Sequence, residues 1–201
     1  MNIIRNTFVA FGIVLVAAGL MYGTLRPLYG AYVIRQSFNA LEGRIAIEQF
    51  KNIFTAMLTA AKPVGETEVL LRLISSTDQI IKDGASLASS EDLLRFSERY
   101  TRPVFDSVAA DRYVDTRLLW ALAALYTDAG RTLHNQDNLD RAEYLYRFGL
   151  RLAPRRPEFL YGLFDFYVYE NRRKEAEMLG NDILRYWPFE KEISDYVNSN
   201  P

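Results

Sequence analysis

The chain's only histidine, His134, is followed closely by Asn135, Asp137 and Asp140. An imidazole beside carboxylates is material for a general base or a metal site. A transition-metal site would need further soft or imidazole ligands, and the 201 residues hold no cysteine and no second histidine. His134 is therefore read as a solvated loop residue. Asp137-Asn138-Leu139-Asp140 is similar to part of a calcium loop, but the glycine and the closing glutamate that such a loop requires are missing. Asp140 is better explained as an acid near a helix N-terminus. Two basic clusters, Arg151 with Arg155 and Arg156, and Arg172 with Arg173 and Lys174, could clamp a carboxylate or a phosphate. At helix ends such clusters usually lie in solvent and offset the C-terminal dipole, which is the reading adopted. Phosphate loops, nucleophile elbows and dinucleotide fingerprints are absent. The sequence thus predicts no catalytic, cofactor-binding or metal-binding residue and no enzyme activity of its own.

The elements around these residues carry a repeat. Asp140-Arg141-Ala142-Glu143-Tyr144-Leu145-Tyr146 leads to Pro154, and Lys174-Glu175-Ala176-Glu177-Met178-Leu179-Gly180 leads to Pro188; Ala142 and Ala176, like the two prolines, lie 34 residues apart. That period belongs to the tetratricopeptide repeat, a pair of helices that buries its apolar face only when a neighbouring pair covers it. Small residues at 142 and 176 suit close helix crossings, and Tyr144, Tyr146, Phe148, Tyr161, Phe164 and Tyr167 would fill the space between layers. The clearest units are placed at about 117–156 and 157–190, with a capping helix from Phe189 to Val197. The first helices of such units line a concave groove, so Arg117, Tyr161, Asp165 and Tyr169 are the candidate partner-binding residues. Tyr126 and Ala142 are sixteen residues apart, which suggests a turn insertion of roughly seven residues around Leu133 to Asn138.

Upstream, helices are expected from Glu66 to about Lys82, closed by Asp83-Gly84, and from Ser89 to about Thr101, where Pro103 introduces a break. Leu118 to Tyr126 is the densest apolar segment of this body, with Trp120 expected at a close crossing. Residues 29–65 read as a degenerate helical pair closed by Lys62-Pro63-Val64-Gly65, and residues 66–201 as the helical-repeat domain. The formal net charge is −1; residues 1–35 hold Arg5, Arg26 and Arg35 and no acid, leaving 21 basic against 25 acidic residues in the remainder. An acidic body argues against nucleic acid as the partner.

Residues 6–25 form an uncharged run between Arg5 and Arg26, about the length needed to cross the hydrocarbon core, so residues 1–28 are expected to be a single transmembrane anchor. The expected fold class is all-α: this anchor followed by a tetratricopeptide-like array. Four features together resemble the C-terminal part of the O-antigen ligase and polymerase-like membrane proteins: the run ending at Arg26-Pro27, the stripe from Tyr32 to Leu41, the segment Gly43-Arg44-Ile45-Ala46-Ile47-Glu48-Gln49-Phe50-Lys51, and the 34-residue units. The resemblance implies a last membrane helix and an extracytoplasmic repeat region, in a single-pass protein. It also implies a scaffold that binds protein in an envelope assembly linked to polysaccharide machinery, or an accessory part of a glycan-transferring enzyme. The catalytic helix bundle of that family has no counterpart in this sequence, so no family catalytic residue is carried over. Arg26, Arg35 and Arg44 on the body side of the run do not by themselves select an outward orientation.

Overall fold

The computed structural model describes Tyr29, Tyr32, residues 46–61 and residues 65–199. The expected anchor at 1–28, and the first helix of the expected pair at 29–65 apart from the two tyrosines, lie outside the described residues. Among those described, the fold is all-α. The helices are α1 (Ile47–Ala61), α2 (Glu66–Lys82), α3 (Leu87–Ala109), α4 (Thr116–Leu133), α5 (Gln136–Leu152), α6 (Pro157–Tyr169), α7 (Arg173–Tyr186) and α8 (Lys191–Asn198).

The expectation of a single-pass membrane protein is corrected here. Among the described residues no helix is long and apolar enough to cross a membrane. The reason lies in composition and length. The 23-residue α3 carries Glu91, Asp92, Arg95, Glu98, Arg99, Arg102 and Asp106, whereas the apolar α6 has 13 residues and reaches only about 20 Å.

The chain divides into two compact units, residues 1–70 and 71–201. In the first, α1 buries Phe50, Phe54, Met57 and Leu58, and the rings of Phe50 and Phe54 meet at 4.6 Å. These positions recur at four, three and one, the spacing that keeps them on one helical face.

In the second unit, helices α3 to α8 each pack on the next, and α4 also touches α6. The buried Thr77 and Ser97 hydroxyls hydrogen-bond at 2.8 Å and tie α2 to α3. Four helix ends share one device. Gly84, Asp111, His134 and Asn171 have φ of +83°, +52°, +50° and +55°, and in each case the next residue's amide donates to the carbonyl five positions earlier. This left-handed closure satisfies carbonyls that the helix would leave unbonded. It corrects the expected loop at 133–138, because only His134 and Asn135 separate α4 from α5. Asn135 Oδ1 caps α5 by accepting from the Asn138 amide at 3.2 Å, so the turn is short and internally bonded. Gly130 makes the tight return feasible: a Cβ there would lie 2.6 Å from Leu139 Cδ2.

Helix α3 also departs from expectation. It begins at Leu87, capped by Ser86, whose hydroxyl accepts from the Ser89 amide at 3.2 Å, and it runs through Pro103 without a break. Pro103 and Arg99 are both exposed, so the carbonyl that the proline ring leaves unbonded opens to water. Tyr146 and Phe148 are core residues as expected, but Tyr144 is half exposed and so is Trp120.

Asp115 starts α4, its Oδ1 accepting from the Arg117 amide at 2.9 Å. Arg117, bonded through side chain and backbone, holds the Asp115 carboxyl below its ordinary value despite partial burial. A depressed carboxylate contributes stability above its unfolded pKa and loses it as pH falls through the folded one. Asp115→Ala is expected to cost about 1 kcal/mol in urea unfolding at neutral pH. The gap from the parent protein should close below about pH 3. A gap that does not change with pH would show that the charge contributes nothing.

Candidate partner-binding face

Helix α4 is buried nearly all round. Its open positions, Arg117, Trp120, Ala124, Asp128 and Arg131, recur at three and four residues and so form one stripe. On α6 the corresponding stripe carries Glu158, Tyr161, Asp165 and Tyr169. The two helices run side by side in the same direction. Arg156 at the start of α6 bonds the Thr116 hydroxyl at the start of α4, and Arg131 near the end of α4 reaches the far part of α6.

Three of the four candidate residues share α6. Tyr161 is partly covered, its ring 5.9 Å from that of Trp187; burial, and then its hydrogen bond to Glu190, push the phenol up to about 12. Asp165 keeps solvent contact, yet the surrounding helices desolvate it enough to raise its carboxyl, and Arg131 only partly offsets this. Tyr169 is half exposed and carries the Arg131 guanidinium over its ring, 4.0 Å from the centroid. Arg117 stands apart. It binds Asp115 at 2.8 Å at the opposite end of the α4 stripe, fourteen positions and so about 20 Å from Arg131. The four residues therefore line one face without forming one cluster.

Arg131 is the residue the sequence reading missed. It stacks on Tyr169, and its Nη2 donates to the Asp165 carbonyl at 3.5 Å. A signal was present, because Arg131 lies 34 residues before Asp165, the same interval that separates Ala142 from Ala176. Beyond it the face continues to α2. Lys82 Nζ bridges Asp78 at 2.7 Å and Asp128 at 2.9 Å. Burial raises the Asp78 carboxyl, and the charge of Asp128 adds to this.

Within the basic clusters Arg151, Arg155 and Lys174 are exposed, as expected, whereas Arg156, Arg172 and Arg173 are partly covered. Arg172 Nη1 meets Glu143 Oε2 at 2.6 Å, Arg147 meets Glu143 Oε1 at 2.7 Å, and the Tyr167 hydroxyl donates to the same carboxylate at 3.2 Å. These bonds join α5, α6 and the turn before α7. Arg156 is held by Thr116 and Glu158, and Arg151 reaches Asp111 at 3.3 Å. Arg172 and Arg156 thereby link separate helices. No protein-family model, curated protein or solved structure matches the chain.

His134 is exposed and ends α4 through its left-handed backbone, which accounts for its position without chemistry. An open hollow on α7, bordered by Met178, Asn181, Asp182, Leu184 and Arg185, is walled by one helix alone and brings no convergent polar groups from elsewhere.

Proposed function

We propose that residues 71–201 form a tetratricopeptide-like stack of helical pairs, and that its open face on α4 and α6 binds a protein partner. The observation that carries this reading is the meeting of equivalent positions. Arg131 and Asp165, 34 residues apart, touch across adjacent first helices, as stacked copies of one unit require. Ala142 and Ala176, also 34 apart, are both fully buried. A stack of this kind leaves one side of each first helix without an intramolecular neighbour, and here that side carries aromatic rings and charges, the residue types that anchor partners.

The test is crosslinking in cells with the full-length protein and with a variant carrying Arg117→Ala, Tyr161→Ala, Asp165→Ala and Tyr169→Ala. Helicity should be preserved, because all four side chains keep solvent contact. At least one captured protein should be lost from the variant. Identical captured sets with undiminished yield would reject the face as the binding surface.

A further inference from the structure

We propose that the aromatic edge where α6 meets the end of α7 takes a proline-rich, acidic segment of the partner in the polyproline II conformation. The proposal rests on the scaffold reading and names its ligand at Tyr161, the ring that this edge shares with the open face of α4 and α6.

A turn builds the edge. Helix α7 stops at Tyr186, and Trp187-Pro188-Phe189-Glu190 folds back, with the Glu190 amide donating to the Trp187 carbonyl at 3.3 Å. Pro188 lacks the amide that would continue the helix and presets the bend. Trp187 is thereby held against two further rings, Tyr161 of α6 at 5.9 Å and Tyr186 at 5.6 Å. Tyr186 is 43% exposed, and Phe189 in the turn is 95% exposed. Scattered exposed aromatics are ordinary, whereas a linked set with a further bare ring in the same turn is the kind of apolar patch that marks a binding site.

The chemistry of the edge selects the ligand. Linked aromatic rings suit a segment that presents apolar rings from a stiff, extended backbone, and polyproline II repeats them every turn of about 9 Å. The Trp187 indole N–H donates to no acceptor among the described residues and is not buried. A polyproline II segment has no internal hydrogen bonds, so its carbonyls are open to that donor, whereas a helix uses its own. Arg155 lies over the Tyr186 ring, 5.3 Å from the centroid, and makes no ion pair among the described residues. Its neighbours differ, since Arg156 binds Glu158 and Arg151 binds Asp111, each at 3.3 Å. A carboxylate on the bound segment would complete Arg155, and a basic segment would meet it as a like charge.

The experiment uses fluorescence anisotropy with the full-length protein and three labelled peptides of about nine residues, or three polyproline II turns. One is proline with Glu at every third position, one alanine with Glu at the same positions, and one proline with Lys there. The Pro-Glu peptide should bind, and the other two should bind more weakly. Tyr186→Ala with Phe189→Ser should weaken the Pro-Glu peptide roughly tenfold or more, the loss of exposed ring contact, at an unchanged urea midpoint. Trp187→Phe, which keeps a ring and removes the N–H, should weaken it roughly threefold to tenfold. Arg155→Gln should abolish the preference for Glu over Lys. Tyr113→Ser, which removes an exposed ring from the turn before α4, should leave the Kd unchanged. Equal binding of the Pro-Glu and Ala-Glu peptides, no binding of any peptide, or equal weakening by Tyr113→Ser would overturn the proposal. So would a dimer in sedimentation that the Tyr186→Ala, Phe189→Ser variant abolishes, because the edge would then belong to a second copy. None of these outcomes touches the scaffold reading, which falls only if the four-site variant keeps its full set of captured proteins.

Discussion

Phe159→Ala is expected to lower the stability of the 71–201 unit by roughly 3–5 kcal/mol, read from the urea midpoint at unchanged slope. Phe159 stands in the first turn of α6 with none of its surface exposed, and its ring covers Gly149 of α5. Truncation removes the apolar contact and leaves a cavity that two helices joined by a short turn cannot close. Helices α3 to α8 each pack on the next, so stability is shared between neighbours and the damage should not remain local. A domain of ordinary stability has only about 5–15 kcal/mol in total. Loss of the α5–α6 interface should therefore also loosen α7 and α8, seen as faster amide exchange in both. If exchange in α7 and α8 is unaffected while the midpoint falls, the stack does not transmit through this layer.

Much of the helical architecture was legible before any coordinates, because the signals are local. Gly84 ends α2 and Pro157 opens α6, since one accepts a positive φ and the other supplies a helical φ while lacking an amide that would go unbonded. The His134 turn was not legible. A left-handed residue that is neither glycine nor asparagine gives no compositional warning, and the polar stretch around it read as an inserted loop. Tyr144 and Tyr146 show a different limit. They lie two positions apart, so a helix cannot turn both inward, and only Tyr146 is buried. The open face of α4 and α6 was half visible. Tyr161, Asp165 and Tyr169 share one helical stripe that periodicity can find, whereas Arg131 required the 34-residue shift to be applied backwards from Asp165. The Glu143–Arg172 bond spans 29 residues and exists only once α5 and α6 are stacked, so no local pattern announces it.

Gly149→Val is expected to cost roughly 3 kcal/mol, although almost any other residue is a better helix former than glycine. A Cβ at 149 would lie 2.2 Å from Phe159 Cε1, and the fully buried ring has no solvent side to move into. The same exchange runs in the opposite sense a little further along the interface, where a Cβ on Gly162 of α6 would lie 2.5 Å from Tyr146 Cε1 of α5. Each helix thus lends an aromatic ring to a glycine of the other, and the spacing between the axes is set by two ring thicknesses. A bulkier residue at one glycine must tilt the pair and open the other contact. Pairing Gly149→Val with Phe159→Leu should recover about 1–2 kcal/mol relative to the sum of the single changes, because the smaller side chain returns the volume that valine takes. Simple additivity in that double-mutant cycle would mean that the helices separate freely, and that ring-on-glycine contact does not set the distance between layers.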